Sequence, residues 1–336
     1  MFLLRPNHQI DRQKWDECIE RSPEGLVYAL SWYLDLVSPG WEALIDEQEG
    51  EYLTVVPLPT ARKFGLSFLR QPLFCQQLGV FSVLEEVPLS FLGAVVNELC
   101  HHYRHIRDYS FNTANPDLPL LSLSGLSVWN QHTHFLSLLE PYERLYRQYS
   151  RDRKLNLRRA QKANLTVSES QDIRPLIDIF REDTAHKIYG GVAESSYDLL
   201  ASLFAEFQKR DWARLLYTHQ AGGEKEAGCL FVQYKGRITY LFNAATKTGR
   251  NRNGRSLMID QIIRENAGKD RILDFESPSG MEAITYFYQG FGATPVRFQT
   301  IQYNNLPIYI RIFQETRKFF FQKMFLPASG NAKGGK

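Results

Sequence analysis

Residues 151–167 read RDRKLNLRRAQKANLTV, and this basic stretch decides how the rest of the chain is divided. Between Arg144 and Lys162 there are eight Lys and Arg residues and one acid, Asp152, which gives this segment a net charge of +7. The whole chain carries only +3, so the residues outside the segment sum to −4. A nucleic acid, a membrane, a phosphorylated ligand and plain solvent are all candidates to face this charge.

The basic stretch has the spacing of a helix. Its basic residues three or four positions apart share one helical face: Arg151, Lys154, Arg158 and Lys162. Leu157 and Ala160 fall on another face, and Asn164 is a good left-handed C-terminal cap. We therefore predict a connector helix that stops at Ala163. Few acids offset its like charges, so an anionic ligand and a solvated connector both remain open.

The composition indicates a folded protein with room for about two domains. Hydrophobic residues make up 43% of the 336 residues, which is enough for a packed core. No apolar run is long enough to predict a transmembrane helix, and the first residues become polar too soon for a signal peptide. The four cysteines are scattered, without a C-x-x-C pair, so we expect free thiols and a cytoplasmic location.

The order of predicted elements is similar in the two halves of the chain. Each half shows two helices, a run of strands, a third helix and a further strand. By eye the halves align at SPGWEALI and KRDWARLL, which pairs Trp41 with Trp212. We predict an α+β (mixed α/β) fold of tandem halves, each a mostly antiparallel mixed sheet flanked by helices. The predicted divisions are a first half at 1–140, a basic connector helix at 141–164, a second half at 165–325, ending in a helix, and a disordered tail at 326–336.

Two motifs resemble a known family. The run KLNLRRAQKANLTV resembles N-[IL]-R-[RK]-A-x-K-x-G-[LV], which opens the second domain of FemABX-like and related Acetyltransf_6 (CelD-like) GNAT proteins. The matching residues are Asn156, Leu157, Arg158, Arg159, Ala160, Lys162 and Leu165, with Asn164 where Gly is common. The later run RILDFES…YFYQGFGATP resembles D-F-x-G…K-x-x-F-G-[AG]-x-P at Asp274, Phe275, Phe291, Gly292 and Pro295. The resemblance implies tandem GNAT-like halves.

The same resemblance implies a site for acyl-CoA (acetyl-CoA) as co-substrate. In GNAT proteins a [RQ]-x-x-G-x-[GA] loop at a helix N-terminus binds the pyrophosphate through backbone N–H groups. Here the corresponding place reads NRNGRS, and only its central Gly fits the pattern. The predicted donor-binding residues are Asn243, Arg250, Arg252, Asn253, Gly254, Arg255 and Ser256, with Ser256 as a helix cap. An ordinary basic loop is the alternative.

Acyl transfer to an amine needs a base for the amine and a proton for the leaving group. Glu276 follows the strand RILDF at its carboxyl end, and we predict that it is the general base; a surface or capping acid is the alternative. Tyr288 stands where the family usually has Lys, and we predict that it donates a proton or binds the donor, with a core aromatic as the alternative. We expect Asp274 to be a structural residue at the strand end.

Acceptor contacts are predicted at the connector and in a glycine-flanked loop. Arg158 and Lys162 are candidates to contact an anionic substrate, and Lys187 and Tyr189 lie in the segment AHKIYGG, where a surface turn is the alternative. Tyr240 can reach the donor side only if a bulge turns it there, as the GNAT resemblance implies. Core packing is the other interpretation of Tyr240.

No metal site is predicted. His101 and His105 have an i,i+4 spacing, but no third ligand except Glu98 accompanies them. The leading hypothesis is an acyltransferase that moves an acyl group from acyl-CoA to an amine of a small-molecule or cell-envelope precursor by direct attack. The alternatives are a FemABX-type transferase that uses aminoacyl-tRNA, the one nucleic-acid partner considered, and a GNAT scaffold that only binds. The oligomeric state is left open.

Overall fold

The computed structural model describes residues 2–63, 65–84, 87–119, 121–188 and 190–307. The predicted C-terminal helix, the tail at 326–336 and Tyr189 lie outside the described residues. The first part of the chain forms β1 (Leu3–Pro6), α1 (Arg12–Arg21), α2 (Ser31–Val37), β2 (Glu42–Gln48), β3 (Glu51–Leu58), β4 (Thr60–Lys63), β5 (Leu66–Leu69), β6 (Phe81–Ser82), α3 (Leu89–His102), β7 (His105–Ser110) and β8 (Leu126–Ser137).

The second part begins with the connector and repeats the order of elements. It forms α4 (Tyr142–Gln148), α5 (Arg151–Lys162), β9 (Thr166–Glu169), α6 (Arg174–Asp183), α7 (Glu194–Lys209), β10 (Ala213–His219), β11 (Ala227–Tyr234), β12 (Arg237–Ala245), α8 (Lys247–Asn251), α9 (Gly254–Asn266), β13 (Ile272–Asp274), α10 (Glu282–Gln289) and β14 (Thr294–Asn304).

Two sheets carry these strands. Strands β1, β2, β3 and β6 form a four-stranded antiparallel sheet. The larger sheet has the order β4-β5-β7-β14-β8-β13-β12-β11-β10-β9. Strand β14 pairs with β7 on one side and with β8 on the other, and β8 continues the sheet to β13. The larger sheet therefore runs through both halves, and strand pairing crosses the division predicted at residue 140.

The two aligned tryptophans occupy corresponding places in the order of elements. Trp41 directly precedes β2 and packs on Trp15 with ring centroids 4.6 Å apart. Trp212 directly precedes β10 and packs on Tyr234 at 5.0 Å. Each follows two helices, α1 and α2 or α6 and α7. The predicted α+β fold, with mixed sheets flanked by helices, is confirmed.

The basic connector is two helices rather than the single helix predicted. The chain leaves helical geometry at Tyr149, and the Ser150 side chain caps α5 by accepting a hydrogen bond from the Arg153 backbone N–H at 3.2 Å. The predicted end is confirmed, because α5 stops at Lys162 and Asn164 adopts a left-handed φ of 52°.

Alternate residues of the central strands face two different cores. On β11, Leu230 and Val232 face a core shared with α6, α7 and the first half. Cys229 and Phe231 face a second core shared with α5, α9 and α10. This alternation follows from the period of two in a strand. It places the connector and the loop before α9 on one side of the sheet and helix α6 on the other.

The histidine pair in ELCHHYRH does not share a helix. Helix α3 ends at His102, and His105 starts β7. The i,i+4 geometry considered for His101 and His105 is therefore absent. Across the described ranges, no group of three or more His, Cys, Asp or Glu residues is arranged to hold a metal ion.

Candidate functional site

Two parallel strands of the second half stop pairing after three residue pairs, and we call this place the β12–β13 cleft. Strands β12 and β13 pair in parallel over three residue pairs, from Arg237–Ile272 to Thr239–Asp274. Strand β13 then ends, while β12 continues to Ala245. Ligands of open sheets with parallel strands bind outside the carboxyl ends of those strands, so we take this end of β13 as the candidate site.

A bulge in β12 brings Tyr240 and Asn243 to the same face. Phe231 of β11 pairs with Tyr240, whereas Leu230 pairs with Phe242, so Leu241 is the extra residue. Without the bulge, Tyr240 and Asn243 would point to opposite sides, because they are three residues apart. The bulge considered from the sequence is confirmed.

Glu276 lies at the carboxyl end of β13 in a strained conformation. Its φ is 44°, which is uncommon for a residue with a side chain. The turn is held by Asp274, whose Oδ1 accepts a hydrogen bond from the Glu276 backbone N–H at 3.0 Å. The Glu276 carboxylate accepts a hydrogen bond from the hydroxyl of Tyr28, a buried residue of the first half. The candidate base is therefore positioned by both halves.

Asp274 anchors this turn from inside the sheet. It is 1% exposed, and its carboxylate accepts hydrogen bonds from Thr133 Oγ1 at 2.7 Å and from Arg237 Nη1 at 3.1 Å. With the Glu276 N–H, three donors satisfy the buried carboxylate, which offsets the cost of burying the charge. These contacts fit the structural role expected for Asp274.

Burial raises the pKa of Glu276 to about 8. The Tyr28 hydroxyl and Arg237 act in the opposite direction because both stabilise the carboxylate, whereas the charge of Asp274 raises the pKa further. Tyr33 and Cys75, both buried in the first half, face the same carboxylate. A carboxylate with this pKa holds a proton more strongly than an ordinary Glu and suits a general base near neutral pH.

Tyr288 is buried among aromatic rings beside the cleft. Its ring stacks on Phe275 at 4.5 Å between centroids and meets Tyr240 edge-on at 6.1 Å. Burial raises the pKa of Tyr288, so its hydroxyl stays protonated at neutral pH. Arg255 is the main charge acting against this rise. Tyr288 is therefore a core aromatic, as the alternative expected, and its role as proton donor stays a prediction.

Tyr240 is also part of the core. Its ring stacks on Phe231 at 5.1 Å, and its hydroxyl lies 3.3 Å from Cys229 Sγ. Asn243, on the same face, accepts a hydrogen bond from Arg255 Nη1 at 2.9 Å. The structure thus gathers Tyr240, Asn243, Arg255 and Tyr288 at one side of the β12–β13 cleft.

The loop before α9 leads into a helix N-terminus, where anions commonly bind, but two of its three arginines form ion pairs. Asn253 is left-handed, with φ 62°, and α9 begins at Gly254. Arg250 pairs with Asp183 at 3.1 Å, and Arg252 pairs with Glu226. Of the three arginines predicted to bind pyrophosphate, Arg255 alone has no carboxylate partner among the described residues.

The close contact between the start of α9 and strand β10 requires glycine at position 254. A Cβ at this position would collide with Thr218 Oγ1 of β10. The glycine therefore lets the start of α9 pack against the sheet. Gly254 is also the residue that matches the central Gly of the family's loop pattern.

Ser256 is not the helix cap predicted from the sequence. It lies inside α9, is 1% exposed, and its Oγ accepts a hydrogen bond from Arg153 Nη1 at 3.3 Å. The helix begins at Gly254, three residues earlier than a helix capped by Ser256 would, so the Ser256 side chain lies within the helix and is buried.

The predicted acceptor residues do not gather at Glu276. Arg158 and Lys162 are exposed on α5, which packs through buried Leu157 into the core of α9. Lys187 is exposed in a short 3-10 turn after α6, and its Nζ donates to the Asp183 carbonyl at 2.6 Å. These residues lie on opposite sides of the sheet.

Sequence reasoning missed Tyr28 and Arg153. Tyr28 lies 248 positions before Glu276, and no local pattern links them. Arg153 had a signal, because it precedes Leu157 by four and Ala160 by seven positions and so extends the buried stripe of α5. In the sequence Arg153 contributes to the net charge of the segment, and this contribution masks its place in the buried stripe.

A depression among the described residues lies next to the candidate site but does not include it. An open depression of about 260 Å³ lies at the start of α10, lined by Gly280, Met281, Glu282, Thr285, Tyr286 and Gln289. Neither Glu276 nor Tyr288 lines it. We place the site at the strand ends because the hydrogen-bonded residues converge there.

The strand order, the parallel pair β12–β13 and the helices on both faces define a tandem GNAT-like fold. Residues 144–278 match the family described as acetyltransferase (GNAT) domain. The resemblance inferred from the sequence is therefore confirmed. No curated protein sequence matches the chain at a significant level.

Solved structures share the fold over nearly the whole chain. FemX is 12% identical with a TM-score of 0.61, over 94% of this chain and 99% of that one. A tandem GNAT protein from the clavulanic acid biosynthesis pathway is 12% identical with a TM-score of 0.52, over 91% and 99%. L-PGS from Bacillus licheniformis is 12% identical with a TM-score of 0.52, over 91% and 96%. At this identity the likeness concerns the fold alone.

The longest helix in the described ranges, α7, has 16 residues. None of the helices there combines the length and apolar character that crossing a membrane requires.

Proposed function

We propose that the protein is a cytoplasmic N-acyltransferase that moves an acyl group from acyl-CoA to the amine of a small-molecule or cell-envelope precursor. The observation that carries this proposal is the position of Glu276. Its carboxylate lies at the end of β13, beside the parallel strand β12, and is held there by Tyr28 and by the turn at Asp274. The GNAT family match over residues 144–278 supports the same reaction class.

The residues present fit acyl-CoA in part. The first turn of α9 offers backbone N–H groups, and Arg255 lies beside it without a carboxylate partner among the described residues. Arg250 and Arg252 are paired with Asp183 and Glu226, so they contribute less to binding an anion. Acyl-CoA would supply the acyl group as an activated thioester.

Glu276 and Tyr288 would handle the two protons of the reaction. The amine nitrogen forms a bond to the acyl carbon and gives up one proton, which the Glu276 carboxylate accepts. When the carbon–sulfur bond breaks, the leaving sulfur takes a proton from the Tyr288 hydroxyl. A proton from solvent then restores Tyr288, and Glu276 returns its proton to solvent.

The proposal is tested by measuring the thiol released from acetyl-CoA and longer acyl-CoA esters with a panel of amines. Glu276→Gln should lower kcat by about 100-fold or more, the usual range for loss of a general base. Tyr288→Phe should lower kcat while the fold is kept, as judged by circular dichroism. Glu282→Gln is the matched control, because Glu282 is exposed at the start of α10. Unchanged kcat in both site variants would contradict these roles.

A second candidate is a FemABX-type transferase that takes its acyl group from aminoacyl-tRNA. The observation that favours it is the exposed face of α5, where four cations form no ion pair with any described residue: Arg151, Arg158, Arg159 and Lys162. Phosphate contacts of this kind make affinity fall steeply with salt. A filter-binding titration of aminoacyl-tRNA between 50 and 200 mM salt, run beside the CoA assay, separates the two donors.

A further inference from the structure

The outer face of α5 carries charge that the chemistry at Glu276 does not use. We call the basic face the four exposed cations of α5 that form no ion pair with any described residue: Arg151, Arg158, Arg159 and Lys162. By contrast, the exposed Arg144 on α4 pairs with Glu140 at 2.8 Å. Arg158 and Lys162 are four positions apart, so their repulsion costs helix stability. An anionic partner would offset that cost.

An exposed leucine lies in the middle of the basic face. Leu155 is 39% exposed, whereas Leu157 of the same helix is buried in the core shared with α9. Leu155 is three or four positions from Arg151, Arg158 and Arg159, so its side chain lies among theirs. A single exposed leucine is ordinary, but one that is surrounded by unpaired cations forms an amphipathic surface.

The start of α10 extends this surface with larger side chains. The Tyr286 hydroxyl donates a hydrogen bond to Asp152 Oδ2 at 2.8 Å, which places this tyrosine against α5. Tyr286 is 57% exposed and Met281 is 54% exposed, and both line the depression at the start of α10. The acids at this margin are Asp152, which accepts the Tyr286 hydrogen bond, and Glu282. Leu155, Met281 and Tyr286 therefore lie beside the four cations of the basic face.

We propose that the basic face and the start of α10 dock the protein onto a membrane that contains anionic phospholipid. Arg and Lys side chains near such a membrane are attracted by its negative surface potential. Leu155 and Met281 would enter the boundary between headgroups and acyl chains, where the ring of Tyr286 is also favoured. This docking is peripheral and goes beyond the proposed function, since it concerns where the protein acts and not which group it transfers.

A tRNA is the rival partner for the same cations, and the exposed leucine favours the membrane. Cations bind a nucleic acid through its phosphates, and a leucine in their midst adds nothing to those contacts. A membrane surface uses both, because apolar side chains gain free energy when they leave water. An exposed tyrosine can also stack on a base, so Leu155 rather than Tyr286 distinguishes the two partners.

The test is co-sedimentation of the full-length protein with phosphatidylcholine vesicles that contain either no phosphatidylglycerol or about 30% of it. At about 0.1 M salt the wild type should sediment with the anionic vesicles only, and at about 1 M salt this binding should fall because the charges are screened. Arg151→Gln should weaken binding to anionic vesicles about fivefold, the usual contribution of one basic residue at such a surface. Leu155→Gln should weaken it about threefold or more, because its exposed part no longer gains from leaving water.

Each variant has a matched control away from the basic face. Arg174→Gln removes one exposed cation at the start of α6, on the other side of the larger sheet. Leu3→Gln replaces an exposed leucine of β1, in the smaller sheet. Both controls should change vesicle affinity less than about twofold, because neither side chain lies on the proposed surface.

Three results would overturn the proposal: no binding to anionic vesicles, equal binding to both kinds of vesicle, or wild-type affinity in Leu155→Gln. A filter-binding titration of tRNA with the same proteins examines the rival partner. Binding of tRNA that depends on Arg151 and not on Leu155, without binding to anionic vesicles, would assign the basic face to nucleic acid and contradict membrane docking. Vesicle binding and acyl transfer are measured separately, so failure of either leaves the other standing.

Discussion

Replacing Glu276 by Gln should make the protein more stable than the wild type, and increasingly so as the pH rises. Burial raises the pKa of Glu276 to about 8 in the folded state, whereas an unfolded Glu titrates near 4.3. The folded wild type therefore holds its proton more tightly than the unfolded chain. Its stability is full below the unfolded pKa and is lost as the pH rises toward 8.

The size of this effect follows from the pKa difference. Each pKa unit is worth 1.36 kcal/mol, so the wild type should lose about 3.5 kcal/mol of stability from this one group between pH 5 and pH 8. Gln resembles the protonated carboxyl group, can accept the Tyr28 hydrogen bond and does not ionise. The difference in unfolding free energy between the variant and the wild type should grow by the same amount.

Urea denaturation at intervals of half a pH unit measures this difference directly. Comparing the variant with the wild type cancels the contributions of the other titrating groups. Glu282→Gln, at an exposed glutamate, should give a difference in unfolding free energy that does not change with pH over the same range. A flat difference for Glu276→Gln as well would mean that the Glu276 carboxylate is solvated. In that case the argument for a base of raised pKa fails.

Three further changes test other parts of the site. Gly254→Ala should destabilise the protein by about 1–3 kcal/mol in urea, because the added methyl collides with Thr218. Tyr28→Phe should move the rise of kcat/KM to higher pH by about 1 unit, since the hydroxyl hydrogen bond lowers the pKa of Glu276. Arg158→Ala should weaken binding of an anionic acceptor more at 50 mM than at 500 mM salt, as expected for an exposed charge.

Each of these three changes has either a control variant or an outcome that would contradict it. Gly236→Ala should cost little, because the nearest atom to its Cβ, the Asp270 carbonyl oxygen, is 3.5 Å away. Arg144→Ala should leave acceptor affinity unchanged, because Arg144 is already paired with Glu140 at 2.8 Å. A pH profile for Tyr28→Phe that overlays the wild type would separate Tyr28 from the titration of Glu276.

Local signals predicted the elements of the fold well. Asp11 caps α1 by accepting from the backbone N–H groups of Gln13 and Lys14, as a cap before a helical pattern should. Asn164 ends the connector in a left-handed conformation. The sharing of strands between the halves was not predictable, because the pairing of β14 with β7 joins segments about 190 residues apart and depends on tertiary packing.

The place of Glu276 in the fold was predictable from the sequence, and the residues that contact it were not. Glu276 follows a recognisable strand, so its place at the cleft could be inferred from the order of elements. Its hydrogen bond with Tyr28 depends on how the first half docks, which no local pattern encodes. Arg250 and Arg252 were assigned to the ligand because a loop sequence does not show the acids that face it, here Asp183 and Glu226.

The central claim is that this GNAT-like protein binds an acyl-CoA donor, and a thermal-shift measurement with acetyl-CoA and longer acyl-CoA esters tests it most directly. A ligand at about 100 times its dissociation constant stabilises the folded state by about 2.7 kcal/mol. For a chain of 336 residues this corresponds to a rise in melting temperature of about 4 °C. We predict such a rise with at least one ester, and no shift with any of them at millimolar concentration would contradict the account.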